Sequence, residues 1–294
     1  MFAIKMIGSA VTALTAIAGC SPTTPTPAPM KVYAFCGVNP DDSAAQRKAV
    51  AMSKDGGITA TFGPCLPPPA NYTTAFPGSR YATPEQYLRL TVINANAGMK
   101  TLVYDARIWS DDSTVRQAAI DYWLPHAAWL EGWDMGDEFD PSMPDWPILV
   151  QRWKIVREHI APVTGVQPFT NHLGSAGVLS AALADLPGSE QLLSYDAYPE
   201  VNGRMEASLA LAAQYQGSTS NLMCAINALR HNEFRPTAAK IRQHIADHRK
   251  AGCDSFLIFG GEKPINTPGF PSDSLVNAKG QATSLAKAVK QATR

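Results

Sequence analysis

Apolar residues recur along the chain in eight short runs, each six or seven residues long and rich in Val, Ile, Tyr and Phe. Such runs, bounded by Gly, Pro and polar residues, predict strands that are buried on both faces. They lie at 31–37, 58–63, 100–106, 130–136, 165–171, 192–198, 221–227 and 255–260. Between them, apolar positions three or four residues apart predict helices, for example at 145–159, 206–215 and 237–251.

This alternation of strands and helices predicts the α/β class with parallel pairing, because right-handed crossovers join successive strands. It fills positions 31–294, which is close to the roughly 250 residues of a closed eight-stranded barrel. No G-x-G-x-x-G follows the first strand, so a doubly wound dinucleotide-binding sheet is disfavoured. The sequence therefore predicts a single (β/α)8 TIM-barrel domain over 31–294, with an elaborated loop at 64–84.

Residues 1–30 have a different pattern from the rest of the chain. Lys5 precedes an apolar stretch at 6–18 that is too short to span a bilayer, and Ile-Ala-Gly-Cys20 follows directly on it. This quartet resembles the lipobox of bacterial lipoproteins, in which the cysteine carries a diacylglyceryl group. Residues 21–30 form a Pro/Thr-rich run that cannot build a core and is typical of a spacer.

The expected arrangement is a lipoprotein signal peptide at 1–19, lipidation at Cys20 and a tether at 20–30. The domain would then lie outside the cytoplasm, attached to the cell membrane or the outer membrane through the lipid alone. The alternative is an ordinary signal peptide that happens to contain a cysteine.

The charge balance excludes two classes of partner. Lys plus Arg and Asp plus Glu both number 25, so the formal net charge is zero. A basic surface for nucleic acid and a polybasic membrane patch are therefore not expected.

Four cysteines follow Cys20, and an exported domain can form disulfides from them. Of the three possible pairings, we expect Cys36 with Cys65 and Cys224 with Cys253, because each pair would lie on or beside neighbouring strands. Four free buried thiols are the alternative. The absence of a C-x-x-C spacing argues against a zinc site, and no metal is expected.

Catalytic and binding residues of such barrels sit at the carboxyl ends of the strands. These ends are rich in carboxylates, amides and aromatic residues: Arg107 and Trp109, Asp137 and Glu138, Asn171 and His172, Asp196 and Tyr198, Asn227, and Glu262. Carboxylates suit acid/base chemistry, amides suit hydroxyl groups, and aromatic faces suit the apolar side of a sugar ring. We therefore expect a carbohydrate substrate or ligand, no cofactor, and a monomer.

Three segments resemble bacterial clan A-like glycoside hydrolases, a group that includes many lipoproteins. Residues 132–141 resemble the G-x-x-x-G-D-E-P segment of their fourth strand. Residues 194–199 resemble the S-x-D-x-Y-P segment of their sixth strand, and residues 235–259 resemble their approach to strand eight. This resemblance implies a TIM barrel with glycosidase activity.

Roles can be given to individual carboxylates, and the first of them, that of Glu138, is implied by the resemblance. Glu138 stands at the position of the general acid/base, and Asp137 beside it would orient it. The second carboxylate, acting as nucleophile or base, would be Glu262 or Asp196.

The chain departs from that family at two positions. Phe139 replaces the usual proline, and strand seven, where the family carries its nucleophilic glutamate, ends in Asn227-Ala-Leu. Chitinase-type barrels fit less well, because Gly136 stands where they need an aspartate that holds the acetamido group. Two hypotheses follow: a glycoside hydrolase, or a non-catalytic carbohydrate-binding or scaffold lipoprotein on the same fold.

Overall fold

Eight parallel strands close into a barrel in the order of the chain. The computed structural model describes residues 30–64, 66, 81–196, 205–228, 236–261 and 274–294. The strands are Val32–Phe35 (β1), Ala60–Phe62 (β2), Lys100–Val103 (β3), Leu130–Phe139 (β4), Pro168–Leu173 (β5), Leu193–Asp196 (β6), Leu222–Asn227 (β7) and Ser255–Phe259 (β8). β8 pairs with β1 and closes the ring. The predicted (β/α)8 barrel is confirmed.

Helices follow the strands and cover the outside of the barrel. They are Ala45–Gly56 (α1), Pro84–Asn96 (α2), Ser113–Trp123 (α3), Trp146–Ile155 (α4), Ala161–Thr164 (α5), Ala176–Asp185 (α6), Met205–Tyr215 (α7), Ala238–Lys250 (α8) and Ser284–Thr293 (α9). Polar caps fix several starts: Thr83 and Gln86 form a capping box on α2, and the hydroxyl of Thr237 accepts from the Lys240 amide at α8. These caps set where each helix turns back along the sheet.

Aromatic rings fill much of the barrel interior. Phe35 lies with its ring centroid 5.4 Å from that of Phe62 and 5.2 Å from that of Phe259. Phe62 in turn lies 5.2 Å from Phe169. The interior of the barrel is therefore a packed core, and a ligand must bind at an end of it.

The amino-terminal ends of the strands carry an ionic cluster. Glu131, at the start of β4, accepts a hydrogen bond from the buried Tyr33 hydroxyl and pairs with Lys31 at 2.7 Å. Burial, reinforced by the Glu131 charge, raises the pKa of Tyr33 far above its ordinary value. Residues at this end of a barrel serve stability, so we assign Glu131 to the fold.

One of the two predicted disulfides is confirmed. Cys224 of β7 is bonded to Cys253, which lies just before β8, with the Cα atoms 6.0 Å apart. Cys36 is also disulfide-bonded, and its partner lies outside the described residues, as does Cys65. The pairing of Cys36 with Cys65 stays a prediction.

The predicted signal peptide, Cys20 and nearly all of the tether also lie outside the described residues. Among the helices that are described, none is long and apolar enough to cross a membrane.

Candidate active site

Strand β4 is irregular where it reaches the mouth of the barrel. Asp134 pairs with Phe169 and Asp137 with Asn171, so three steps along β4 match two along β5. Gly136 lies inside this bulge at φ +123°, and a Cβ atom there would come within 2.7 Å of the Phe139 ring. Bulges of this kind re-aim side chains next to active sites. The bulge in β4 sets the direction of the two carboxylates that follow it.

Glu138 adopts a left-handed backbone conformation with φ +57°. A non-glycine residue in this region costs roughly 1–2 kcal/mol, and such strain concentrates at functional sites. Consecutive residues of a regular strand point to opposite faces, and the left-handed turn breaks that alternation immediately after Asp137. Both residues keep exposed surface at the rim. The strain at Glu138 is therefore a structural signal of function that the sequence does not contain.

A hydrogen-bond relay crosses the ends of three adjacent strands. The Ser194 hydroxyl of β6 donates to Oδ1 of Asn171 at 2.7 Å. The Nδ2 group of Asn171 donates to Oδ1 of Asp137 at 3.0 Å. Because Ser194 satisfies the amide oxygen, the amide nitrogen of Asn171 is held toward Asp137. Ser194 is 0% exposed and Asn171 1% exposed, so the relay is fixed in the protein interior.

The carboxyl group of Asp137 has a perturbed pKa. Desolvation by the surrounding protein raises this pKa from 3.8 to about 7, the Asn171 hydrogen bond opposes the shift, and the charges of Glu138 and Asp134 add to it. The same side chain keeps exposed surface. Desolvation and exposure are compatible when the carboxylate lies at the mouth of the barrel. Protein then surrounds most of the group, and one side stays open to solvent. Solvent on that side screens the carboxylate and reduces the free-energy cost of its charge.

Polar side chains occupy one half of the mouth. Asp196 ends β6 two residues after Ser194 and is 5% exposed, and Asn227 ends β7 and is 3% exposed. With Asp137 and Asn171 they form a continuous polar arc over β4 to β7. The opposite half, from β8 through β1 to β2, carries the aromatic rings of the interior. The mouth thus joins a polar arc to an apolar wall.

Four of the predicted site residues therefore come together in this arc, namely Asp137, Asn171, Asp196 and Asn227, with Glu138 at its edge. Ser194 belongs to the same group and was missed as a site residue. The available signal was its spacing two residues before Asp196 on a predicted strand, which places both side chains on one face.

Arg107 and Trp109 occupy different surroundings. Arg107 makes a bidentate ion pair with Asp105, whose Oδ2 also accepts from the Trp123 indole at 2.8 Å. Trp109 is 5% exposed and lies between Tyr104, at 5.3 Å, and the Arg152 guanidinium, at 5.7 Å. This corrects the expectation of a sugar platform, because the 3₁₀ turn Ala106–Trp109 folds the indole into the core.

His172 also requires correction as a substrate-binding residue. It follows Asn171 inside β5, so strand alternation directs it away from the mouth and toward the helix layer. There it is 1% exposed and its ring lies 6.2 Å from that of Trp146 in α4. Desolvation lowers the pKa of His172 to about 4. A neutral, buried imidazole packed on a helix serves the strand–helix interface.

Two predicted site residues, Glu262 and Tyr198, lie outside the described residues. Within the described ranges, no group of three or more His, Cys, Asp or Glu residues could hold a metal ion.

Comparisons with known proteins give matches by structure alone. No family model matches the chain, and no curated protein matches it by sequence. The catalytic core of xylanase A superimposes with a TM-score of 0.54 at 11% identity, over 90% of this chain and 98% of that chain. A Bacteroidetes-affiliated GH5 cellulase linked with a polysaccharide utilization locus gives 0.53 at 12% identity, over 90% of this chain and 91% of that chain.

A mutant of xylanase A from P. fluorescens subsp. cellulosa, in complex with xylopentaose, gives a TM-score of 0.54 at 10% identity, over 90% of this chain and 98% of that chain. At these identities the likeness concerns the fold. The chain shares the TIM-barrel fold of these glycoside hydrolases, and the fold that the sequence resemblance implies is confirmed.

Proposed function

We propose that the protein is a lipid-anchored, extracytoplasmic glycoside hydrolase that acts on an oligosaccharide or polysaccharide, with Glu138 as its general acid. The strained backbone of Glu138, at the carboxyl end of β4 beside Asp137, is the observation that carries this proposal. Catalytic groups of TIM barrels occupy this end. The structural neighbours of the barrel are xylanases and cellulases, which supports carbohydrate chemistry.

The polar arc can supply the chemistry of glycosidic cleavage. Glu138 protonates the glycosidic oxygen, and a second carboxylate, Asp196 or Glu262, acts as nucleophile or base. Asp137 precedes Glu138 and has a raised pKa, because protein surrounds its carboxyl group. Because Asn171 and Ser194 hold Asp137, the orientation of this neighbour is set before a substrate arrives.

The apolar wall can take the other side of the sugar. Phe259 ends β8 with part of its surface exposed, beside Phe35. Aromatic faces pack against the C–H side of pyranose rings, while carboxylates and amides take the hydroxyl groups. The xylopentaose held by a structural neighbour is a ligand of this kind.

Anchoring through Cys20 is part of the same proposal. The lipobox-like quartet and the Pro/Thr-rich tether support it at the level of sequence. The bonded Cys224 and Cys253 support an oxidising compartment, since disulfides persist in exported proteins.

A second candidate function is carbohydrate binding without hydrolysis. One observation favours it: β7 ends in Asn227, where the resembled hydrolases carry the nucleophilic glutamate. An amide can donate and accept hydrogen bonds to a sugar hydroxyl but cannot attack its anomeric carbon.

Replacing Glu138 with Gln tests the proposed function. The change keeps the shape of the side chain and removes the proton donor, so hydrolysis of an unactivated glycoside should fall roughly 10²- to 10⁴-fold. A substrate with a good leaving group should lose much less in the first step, because it needs little protonation. The exposed Glu206→Gln variant on α7 is the matched control and should keep wild-type rates.

An equal loss on both substrates would contradict the acid role of Glu138. A wild-type protein that binds oligosaccharide and hydrolyses none would establish the second candidate instead.

A further inference from the structure

The amino-terminal ends of all eight strands share one face of the barrel, which we call the basal face. β1 begins at Val32, so the described chain emerges from this face at Met30. The polar arc lies at the opposite end. Met30 lies ten positions after Cys20, and ten residues of extended chain span at most about 35 Å. A lipid on Cys20 would therefore hold the basal face, and not the mouth, close to the membrane.

We propose that the basal face rests on the phospholipid surface in which the anchor is inserted, so that the mouth opens away from the membrane. This inference depends on the lipid anchor of the proposed function and adds the surface that meets the bilayer.

Three exposed apolar side chains mark the contact area. Leu124 is 44% exposed and Trp129 39% exposed, and both lie in the 3₁₀ turn Leu124–Trp129 that leads into β4. Val163, 53% exposed, lies in α5 just before β5. The turn and α5 contact each other, which places the three side chains in one region of the basal face. Tryptophan at such an edge is typical of the membrane–water interface, where its amphipathic ring sits among headgroups.

Basic side chains surround the point where the tether leaves. The side chains of Lys31 and Lys100 are 46% and 51% exposed beside Glu131. Lys54 lies in the last turn of α1, and Arg249 and Lys250 lie in the last turn of α8, all with exposed side chains. The carboxylates at the same ends of these elements are Asp55, Glu131, Asp247 and Asp254, so the five basic side chains exceed them by one. The charge around the tether is thus slightly positive and does not form a polybasic patch, and the apolar side chains carry the contact.

The orientation also restricts the substrate. A mouth that faces away from the bilayer reaches glycan chains lying beyond the protein, and it does not reach sugar headgroups of lipids in the membrane that holds it. The substrate class that fits is therefore an extended polysaccharide outside the membrane.

Tryptophan fluorescence can test the contact directly. Of the six tryptophans in the chain, Trp129 is the exposed one, and Trp109, Trp123, Trp133, Trp146 and Trp153 are each at most 5% exposed. The lipidated full-length protein is reconstituted in vesicles of phosphatidylglycerol and phosphatidylethanolamine, some containing lipids brominated near the headgroup. Brominated lipid should quench the part of the emission that comes from Trp129, and this part is missing in a Trp129→Phe variant. Acrylamide should quench the same emission several-fold less on vesicles than in the Cys20→Ser protein free in buffer.

A pair of matched variants separates this surface from the rest of the protein. Leu124→Glu with Val163→Glu should abolish the protection of Trp129. Val92→Glu with Val115→Glu, two exposed apolar residues on α2 and α3, should leave it unchanged. Both double variants should hydrolyse a soluble oligosaccharide at the same rate. This measurement therefore reports a loss of catalysis separately from a loss of membrane contact.

Equal acrylamide access to Trp129 on vesicles and in buffer, without bromolipid quenching, overturns the proposal. Mass analysis of Cys20 reports the anchor separately. If Cys20 carries no lipid, the anchor is refuted. The orientation can then still be tested by the same quenching measurement on protein that is coupled at Cys20 to a maleimide lipid.

Discussion

At the scale of single residues, the site depends on how Asp137 is held. Its carboxylate accepts from Asn171, which is itself fixed by Ser194, while Glu138 and Asp134 add negative charge nearby. Hydrogen bonding favours the charged form and desolvation favours the protonated form. Desolvation is the larger of the two effects, so the pKa of Asp137 is raised and its change of protonation falls within the physiological range.

This balance predicts how stability depends on pH. The folded-state pKa of Asp137 is about 7, above an unfolded value of about 3.9. The native state therefore binds this proton more tightly than the unfolded state does. The resulting stabilisation of the native state is fully present below about pH 4 and is lost as the pH rises through 7. Asp137→Asn should be more stable than wild type by about 1 kcal/mol near pH 8, after allowance for solvent at the open side of the carboxylate.

Urea unfolding at several pH values measures this difference. The difference should shrink toward zero as the pH falls below 4, where the wild-type carboxyl group becomes protonated in both states. Glu206→Gln, at an exposed position, is the control and should show no such trend. A constant difference at every pH would show that Asp137 is not desolvated.

At the scale of elements, strand ends decide which predictions succeed. The run at 165–171 predicts that β5 ends at Asn171, but β5 is Pro168–Leu173. His172 consequently lies inside the strand and points to the helices. Trp109 differs for a related reason: β3 ends at Val103, and a 3₁₀ turn then buries the indole. Apolar runs reveal that a strand exists, whereas its last residues depend on pairing partners that are distant in sequence.

The predicted helix 145–159 shows the same limit. α4 ends at Ile155 and continues through a π turn, Val156–Ile160, into α5. In this turn the Ala161 amide donates to the Val156 carbonyl, five residues earlier. The next residue is a proline, which has no amide hydrogen to donate. The irregular turn thus accommodates a residue that a regular helix interior would exclude.

Because of the bulge in β4, we expect that Gly136 does not tolerate the added methyl group of an alanine. Gly136→Ala would force an alanine to φ +123° and bring its Cβ against the Phe139 ring. The variant should lose roughly 1–3 kcal/mol of stability and most of its activity, because the bulge directs Glu138. Gly177→Ala in α6 is the control: it has open space around it, and should be neutral or stabilising by up to about 1 kcal/mol. Equal melting temperatures for the two variants would contradict this account.

At the scale of the whole molecule, topology was predictable and the relay was not. Eight apolar runs with helices between them are enough to predict a closed parallel barrel, since few other architectures bury strands on both faces. The strand-end rule also predicts the place of Asp137, Asn171, Asp196 and Asn227 near the carboxyl ends of β4 to β7, while their roles in binding or catalysis stay a prediction. The bond from Ser194 to Asn171 depends on the register in which Ser194 of β6 faces Asn171 of β5, and no local pattern in either strand encodes that register.

The confirmed disulfide joins the last two strands of the ring. Its cysteines are 29 residues apart, and closing a loop of this length should contribute about 3–4 kcal/mol by the loop-entropy model. Replacing Cys224 and Cys253 together with Ala should lower the free energy of unfolding by that order and keep the barrel. Urea denaturation of the oxidised protein, with and without the replacements, measures the effect. A variant as stable as wild type would show that the β7–β8 ladder holds these strands together without help from the disulfide.

The proposed anchor would determine where the whole molecule acts. A diacylglyceryl group carries two acyl chains, and two chains are what stable membrane attachment requires, whereas a single chain binds only marginally. Cys20→Ser removes the thiol that would carry the group and leaves the tether in place. The variant should move from the membrane fraction to the soluble extracytoplasmic fraction with an unchanged melting temperature, and Ser21→Ala should stay with the membrane. If the Cys20→Ser protein still sediments with membranes and high salt releases it, the basal face binds headgroups without an anchor. If salt does not release it, the lipoprotein assignment is wrong and another part of the chain holds the protein to the membrane.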